Sequence, residues 1–123
     1  MDLDSKYDID LDVRFKPLTV IDIPEIIRRC NKKWQNLSLS KINDSLVRLG
    51  VVEGEFHWHK HNLEDEFFYV IEGRLFIDLE DKTIELSPQH GFTVPRGVNH
   101  RTRASERTAI LMVEGGTVTP TGD

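Results

Sequence analysis

The stretch FHWHKH alternates three histidines, His57, His59 and His61, with other residues, and Glu66 follows after the turn-like NLED. In an extended strand the three imidazoles share one face, and Phe56, Trp58 and Lys60 take the other. The turn returns the chain with Glu66 at the start of the apolar run EFFYVI. Two imidazoles two residues apart on one strand, with a carboxylate on the next, make a three-ligand metal face. A second cluster, GFTVPRGVNH, ends in His100, and its turn residues Pro95 and Gly97 aim the strand that follows. His57 lies one strand period before His59. Two readings stand for it: an acid/base group facing a substrate, or a packed ring held by a hydrogen bond. His90, in the SPQHG loop, reads as exposed, and Glu64 and Asp65 read as solvated turn residues.

Short strands must position these groups. After residue 45 the sequence breaks into apolar runs near 45–52, 55–61, 66–71, 74–79, 83–86, 91–95, 99–104 and 108–114, separated by Gly, Pro, Asn and Asp punctuation. That spacing predicts an all-β sandwich or barrel. EFFYVI and RLFIDL are separated by Glu72-Gly73 alone, which predicts a two-residue hairpin pairing Val70 with Leu75, Phe68 with Ile77 and Glu66 with Leu79. These six residues then form an inner face. Phe67, Tyr69, Ile71, Arg74, Phe76 and Asp78 form an outer one. Both faces carry large apolar groups, so the outer one needs a cover. Glu66 falls among apolar neighbours, where an unpaired carboxylate is costly and calls for a cation, a metal or a hydrogen-bond partner.

Ahead of the strands, residues 13–44 hold one helix near 22–35. Asp22 and Glu25 have capping-box spacing, Pro24 sits in the first turn, and Ile23, Ile26, Ile27, Cys30 and Trp34 share a face. Cys30 reads as a small packed side chain. Residues 1–12 are acidic with a period of two, which fits an edge strand or a disordered tail. Residues 45–116 form the barrel, and 117–123 a tail.

The chain has 123 residues, is 38% hydrophobic and 30% charged, and carries a formal charge of -5. That length suits one domain. The acidic balance argues against a nucleic-acid or anionic-membrane binder. No apolar run reaches the length of a membrane span, and the acidic start lacks the layout of a signal peptide. With a single cysteine, the expectation is a cytoplasmic protein with a reduced thiol.

With these residues in place, the chain resembles a small single-domain cupin of the RmlC-like superfamily. The first cupin motif, H-x-H, three or four residues, E, six residues, G, is matched by His59-Lys60-His61, Glu66 and Gly73. Four residues rather than five separate Gly54 from His59. Of the second motif, Pro95-Arg96-Gly97 and His100 match, while Gln89 and Ala104 stand where a glycine and an asparagine are usual. The resemblance implies a double-stranded β-helix of jelly-roll type. It also implies one divalent metal per chain (Fe, Mn, Ni, Zn, Co or Cu) held by His59, His61, Glu66 and His100, with open positions for a chelating ligand. Such proteins are often described as resembling mannose-6-phosphate isomerases. A sugar phosphate wants inward cations, however, and Arg48 and Arg96 read as rim residues.

By residue parity the pocket wall is Phe68, Val70, Ile77 and Leu79, with Thr102 near His100 and almost nothing else polar. The expectation is a metal-dependent isomerase, lyase or dioxygenase acting on a small oxygen-rich metabolite, with His57 as its acid/base group. The alternative is a non-catalytic sensor that holds a small ligand through the same metal. A homodimer is expected to cover part of the outer face.

Overall fold

A computed structural model describes residues 7–116 and 120–122. It contains β1 (Asp8–Val13), α1 (Ile23–Arg29), β2 (Trp34–Ile42), β3 (Ser45–Glu55), β4 (Glu66–Glu72), β5 (Leu75–Leu79), β6 (Thr83–Leu86), β7 (Gly91–Val94) and β8 (His100–Gly115). The acidic residues 1–6 lie outside the described part. Of the alternating segment after them, β1 pairs in parallel with β2 of the same chain.

The strands run in the order β1-β2-β3-β8-β4-β7, and β5 joins through β8 and carries β6. β8 is the spine of this all-β jelly-roll barrel. Its start, His100–Arg103, pairs with Leu79–Phe76 of β5, and its end pairs with β3 on one side and β4 on the other. The sequence reading split β8 into two strands at ASE. The chain instead runs through with a register shift: Val52 faces Thr108, but Gly54 faces Ala104. Ser105–Arg107 stand opposite Glu53 alone, two residues more than a regular ladder holds, and take up this bend.

The predicted hairpin between β4 and β5 does not form. β4 pairs with β7 and β8, and β5 pairs with β6 and β8. β4 and β5 instead follow one another along the same edge of β8, and Gly73, at φ +86°, lies at the irregularity between them, opposite Thr108. A Cβ there would lie 2.4 Å from Thr108 Oγ1, so this close approach needs glycine. Tight-turn chemistry and a close backbone approach both select glycine, and the sequence does not distinguish them. The face assignment survives because alternation is a property of each strand alone. Glu66, Phe68, Val70, Leu75 and Ile77 are buried and Leu79 packs on the same interior cluster, while Phe67 is exposed.

The helix is shorter than the pattern 22–35. Asp22 caps it by accepting from the Glu25 amide, 3.2 Å, and it ends at Cys30, which is extended. Arg107 from the β8 bend donates to the Ile27 and Cys30 carbonyls at 2.8 and 2.9 Å, closing that end. Trp34 therefore opens β2, a strand absent from the sequence reading. Its period-two signal is inverted: Asn36 and Ser38 are buried on one face, and Leu37 and Leu39 on the other. Polar residues on the interior side disguise the strand.

Two apolar clusters result. One fills the barrel, around Trp34, Phe56, Phe68, Val70, Leu75, Ile77, Ile110 and Met112. The other lies outside it, where Ile27 and Cys30 meet Leu37, Leu39, Leu49, Val51 and Ala109. No helix among the described residues is long and apolar enough to cross a membrane.

Candidate metal centre

His59, His61, Glu66 and His100 converge at the barrel mouth, with their ligand atoms within 4.8 Å of one another. Residues 56–61 do not form the regular strand expected from FHWHKH. The Phe56 amide donates to the Thr102 carbonyl at 2.9 Å, and His59 forms a two-hydrogen-bond bridge with His100 (2.8 and 2.9 Å). That bridge brings the two motifs together. The Gly97 amide donates to the His61 carbonyl at 2.8 Å, so the PRG turn fixes His61 as well.

The ring nitrogens are sorted by their outer partners. His59 Nδ1 donates to the His57 carbonyl (3.1 Å), and His100 Nδ1 donates to the Val98 carbonyl (2.9 Å). A carbonyl only accepts, so in each neutral ring the hydrogen is on Nδ1 and the lone pair on Nε2. That is the second-sphere arrangement that prepares an imidazole for a metal. His61 Nε2 lies 3.3 Å and His100 Nε2 3.7 Å from Glu66 Oε1. His100 Nε2 and Glu66 Oε1 are both buried and make no hydrogen bond, a costly state that a shared cation relieves.

Electrostatics support a neutral ring at His59. Burial, then the neighbouring His100, pushes His59 down to about 4. Burial works to raise Glu66, but the neighbouring His100 and His61 imidazoles and the Glu114 carboxyl outweigh it and hold the Glu66 carboxyl below the usual range. Glu114, the cross-strand partner of Glu66, is pushed up to about 9 by burial and by the Glu66 charge, against the pull of Arg48. Three imidazoles and one carboxylate face a common point, a donor set that fits a divalent ion.

His57 stands outside this group. Its Nε2 lies 2.6 Å from the Thr121 carbonyl, and its ring centroid 5.4 Å from that of His59. His90 is exposed, and its Nδ1 accepts from the Ser87 amide. Asp65 accepts from the Arg96 amide at 2.9 Å, and Arg96 is exposed. Arg101 and Arg103 each donate to Asp78 Oδ2 at 2.7 Å on the outer surface.

Arg48 is a correction. It is not at the rim but fully buried inside the barrel. Its guanidinium donates to Asn36 Oδ1 (2.9 Å) and Ser38 Oγ (2.6 Å) and pairs with Glu114 Oε1 at 3.1 Å. The expectation of an interior without further polar groups fails here too. Parity held the missing signal: Arg48 lies in step with Gly50 and Val52 on β3, and only its charge argued against an inward side chain. The pocket beside the metal ligands is lined by Phe68 and Thr102, as expected, but also by Trp34, Asn36, Phe56, Met112 and Pro120. Val70 and Ile77, expected in its wall, belong to the packed core.

A cupin-domain family profile matches residues 45–114. The chain belongs to the cupin family. Among similar proteins, this cupin is 44% identical over 90 residues to YdbB, an uncharacterised protein of Bacillus subtilis, covering 72% of this chain and 80% of that one. A cupin-2 domain protein from Shewanella frigidimarina superposes with a TM-score of 0.75 at 35% identity, over 78% of this chain and 94% of the other. Protein NMB1881 from Neisseria meningitidis shares the fold at 20% identity, with a TM-score of 0.70 over 79% and 99% of the two chains.

Proposed function

We propose that this cupin binds one divalent metal ion through His59, His61, Glu66 and His100, and is a metal-dependent isomerase, lyase or dioxygenase of a small oxygen-rich metabolite. The observation that carries the reading is the meeting of His100 Nε2 and Glu66 Oε1, buried and unbonded, with the Nε2 lone pair of His59. The ion would polarise a ligand oxygen or support dioxygen chemistry. The chain's own residues hold it, fix the imidazole tautomers, and surround the ligand with Trp34, Phe56, Phe68 and Met112, which exclude water.

A phosphorylated sugar fits poorly. Arg48 spends its guanidinium on Asn36, Ser38 and Glu114, and Arg96 is turned to Asp65. Chelation by neutral or carboxylate oxygens is the better match. The test is elemental analysis of the purified protein and of His59→Ala, His61→Ala, Glu66→Ala and His100→Ala. Each variant should lose most of the bound metal, and His90→Ala should keep it. Full retention in the four ligand variants overturns the assignment.

We infer also that a second copy covers part of the outer face. Phe67 and its cross-strand neighbour Val113 are 36% and 39% exposed on the sheet that α1 covers only in part. Sedimentation at micromolar concentration should give a dimer, and Phe67→Glu should shift it to monomer.

A further inference from the structure

The pocket beside the metal ligands is too small for the ligand proposed for it. Its volume is about 30 Å³, room for about two or three waters. One wall explains the tightness. Pro120 lines the cavity, the Thr121 carbonyl accepts from His57 Nε2 at 2.6 Å, and Gly122 lies flat on His59. A Cβ on Gly122 would fall 2.5 Å from His59 Cβ and 3.2 Å from its Cγ, and Gly122 sits at φ +96°. A side chain there would therefore both strain the backbone and strike a metal ligand. Three consecutive residues thus touch the pocket, His57 and His59.

We infer that His57 is a positioning residue: it seats Pro120–Gly122 as the outer wall of the pocket, and the wall must move for a ligand to enter. The hydrogen bond fixes the direction of donation. Thr121 offers a carbonyl, so His57 Nε2 carries the hydrogen and Nδ1 the lone pair. Nδ1 is buried and has no hydrogen-bond partner, so the ring presents no second donor to the pocket. Phe56 stacks on the ring with centroids 4.5 Å apart, and Tyr7 lies 6.0 Å away. The His57 carbonyl meanwhile accepts from His59 Nδ1. One residue therefore orients a metal ligand through its backbone and holds the pocket wall through its side chain. Size selection by the site then depends on the His57–Thr121 contact rather than on the barrel strands.

Trp34 reports on this wall, because it is 7% exposed and lines the same cavity as Pro120. The other tryptophan, Trp58, is 42% exposed and is removed as Trp58→Phe. In that background, acrylamide quenching of Trp34 measures access to the pocket with no metal required. His57→Ala and Gly122→Val should raise the quenching constant severalfold. His57→Gln, whose amide nitrogen replaces Nε2 as a donor, should stay near the parent value. A packing role alone would not be rescued by glutamine.

The second measurement is the rate at which EDTA strips cobalt from the loaded protein, and only this one rests on the metal reading. Loss of one hydrogen bond should speed stripping roughly fivefold in His57→Ala. Unchanged Trp34 quenching in both His57→Ala and Gly122→Val overturns the inference, as does a glutamine variant that behaves like alanine. If the protein takes up no cobalt, the metal reading fails while the quenching result still decides the role of His57. If His57→Ala does not fold, Gly122→Val, which leaves the ring in place, carries the test.

Discussion

The barrel encloses two polar clusters that meet at one cross-strand pair, Glu66 and Glu114, and they are built on opposite principles. Around Arg48 the groups answer one another: the guanidinium reaches Asn36, Ser38 and Glu114, and none of these four side chains has a buried polar atom left without a hydrogen bond. Around His59 the donors that could close the network are turned outward to backbone carbonyls, leaving His100 Nε2 and Glu66 Oε1 unbonded. Both clusters are buried and charged, and burial alone does not separate them. Satisfaction does: a completed network is structure, and an incomplete one with its lone pairs converging is a candidate cation site.

That contrast is most sharply broken at Arg48. Arg48→Leu leaves the buried Asn36, Ser38 and Glu114 groups without their shared donor and should destabilise the protein by about 3–5 kcal/mol in urea unfolding. The metal-free protein should lose as much as the loaded one. A cost under about 1 kcal/mol would mean that the Arg48 network is not a structural unit.

The pH response of the metal-free protein comes next, and its sign follows from His59. Burial holds this imidazole at about 4, whereas the unfolded chain takes up the proton at an ordinary value near 6.5. Between these values the unfolded state binds more protons, so stability rises with pH. Acidification from 7 should therefore cost stability progressively down to about 4, with no further loss from this group below it. The upper bound is on the order of 3 kcal/mol. His59→Gln should flatten that part of the profile, and an unchanged slope would place the titration elsewhere.

Metal should stabilise the protein only through the incomplete cluster. At a free concentration of a hundred times Kd, an ion that binds only the folded state adds about 2.7 kcal/mol. Zinc or cobalt titrated into wild type should raise the unfolding midpoint, and the same titration into His61→Ala should not. Equal shifts in both would mean that the ion binds outside the four residues.

The incomplete cluster was legible in the sequence, and the completed one was not. Ligand spacing is local: His59, His61 and Glu66 lie within eight residues, and His100 is flagged by the turn before it. The Arg48 network is assembled from β2, β3 and β8, with no short-range pattern. Its polar inward residues also disguise β2 itself, and Trp34 falls in step with the helical pattern before it. Faces were readable where pairing was not. Alternation placed Glu66, Phe68 and Val70 inward, but the partner of each strand depends on the course of β8 through both halves of the barrel. The wall at Pro120–Gly122 had no signal, because a glycine selected by contact with a distant histidine looks like any other.

The smallest expected effect lies on the outside of the barrel, where a third charged group offers a control for both interior ones. Asp78 on β5 accepts from Arg101 and Arg103, each at 2.7 Å, and from the Thr83 hydroxyl at 2.8 Å. Hydrogen bonds from Arg103 foremost, then from Arg101 and Thr83, outweigh partial burial and hold its carboxyl well below the usual range. The carboxylate is nearly covered, but the arginines are 27% and 32% exposed, so solvent screens the cluster and a partner left behind can rehydrate. Asp78→Asn keeps the shape and removes the charge. It should cost about 1–2 kcal/mol, less than Arg48→Leu, because no polar group is left unsatisfied in the interior. The sign with pH matches the depressed value. The contribution is complete above the unfolded value near 3.9 and fades as pH falls below it, so wild type and Asp78→Asn should converge in strong acid. Metal content should be unchanged. If Asp78→Asn instead costs as much as Arg48→Leu, completeness of the hydrogen bonding rather than burial of the charge sets the price of breaking a cluster in this barrel.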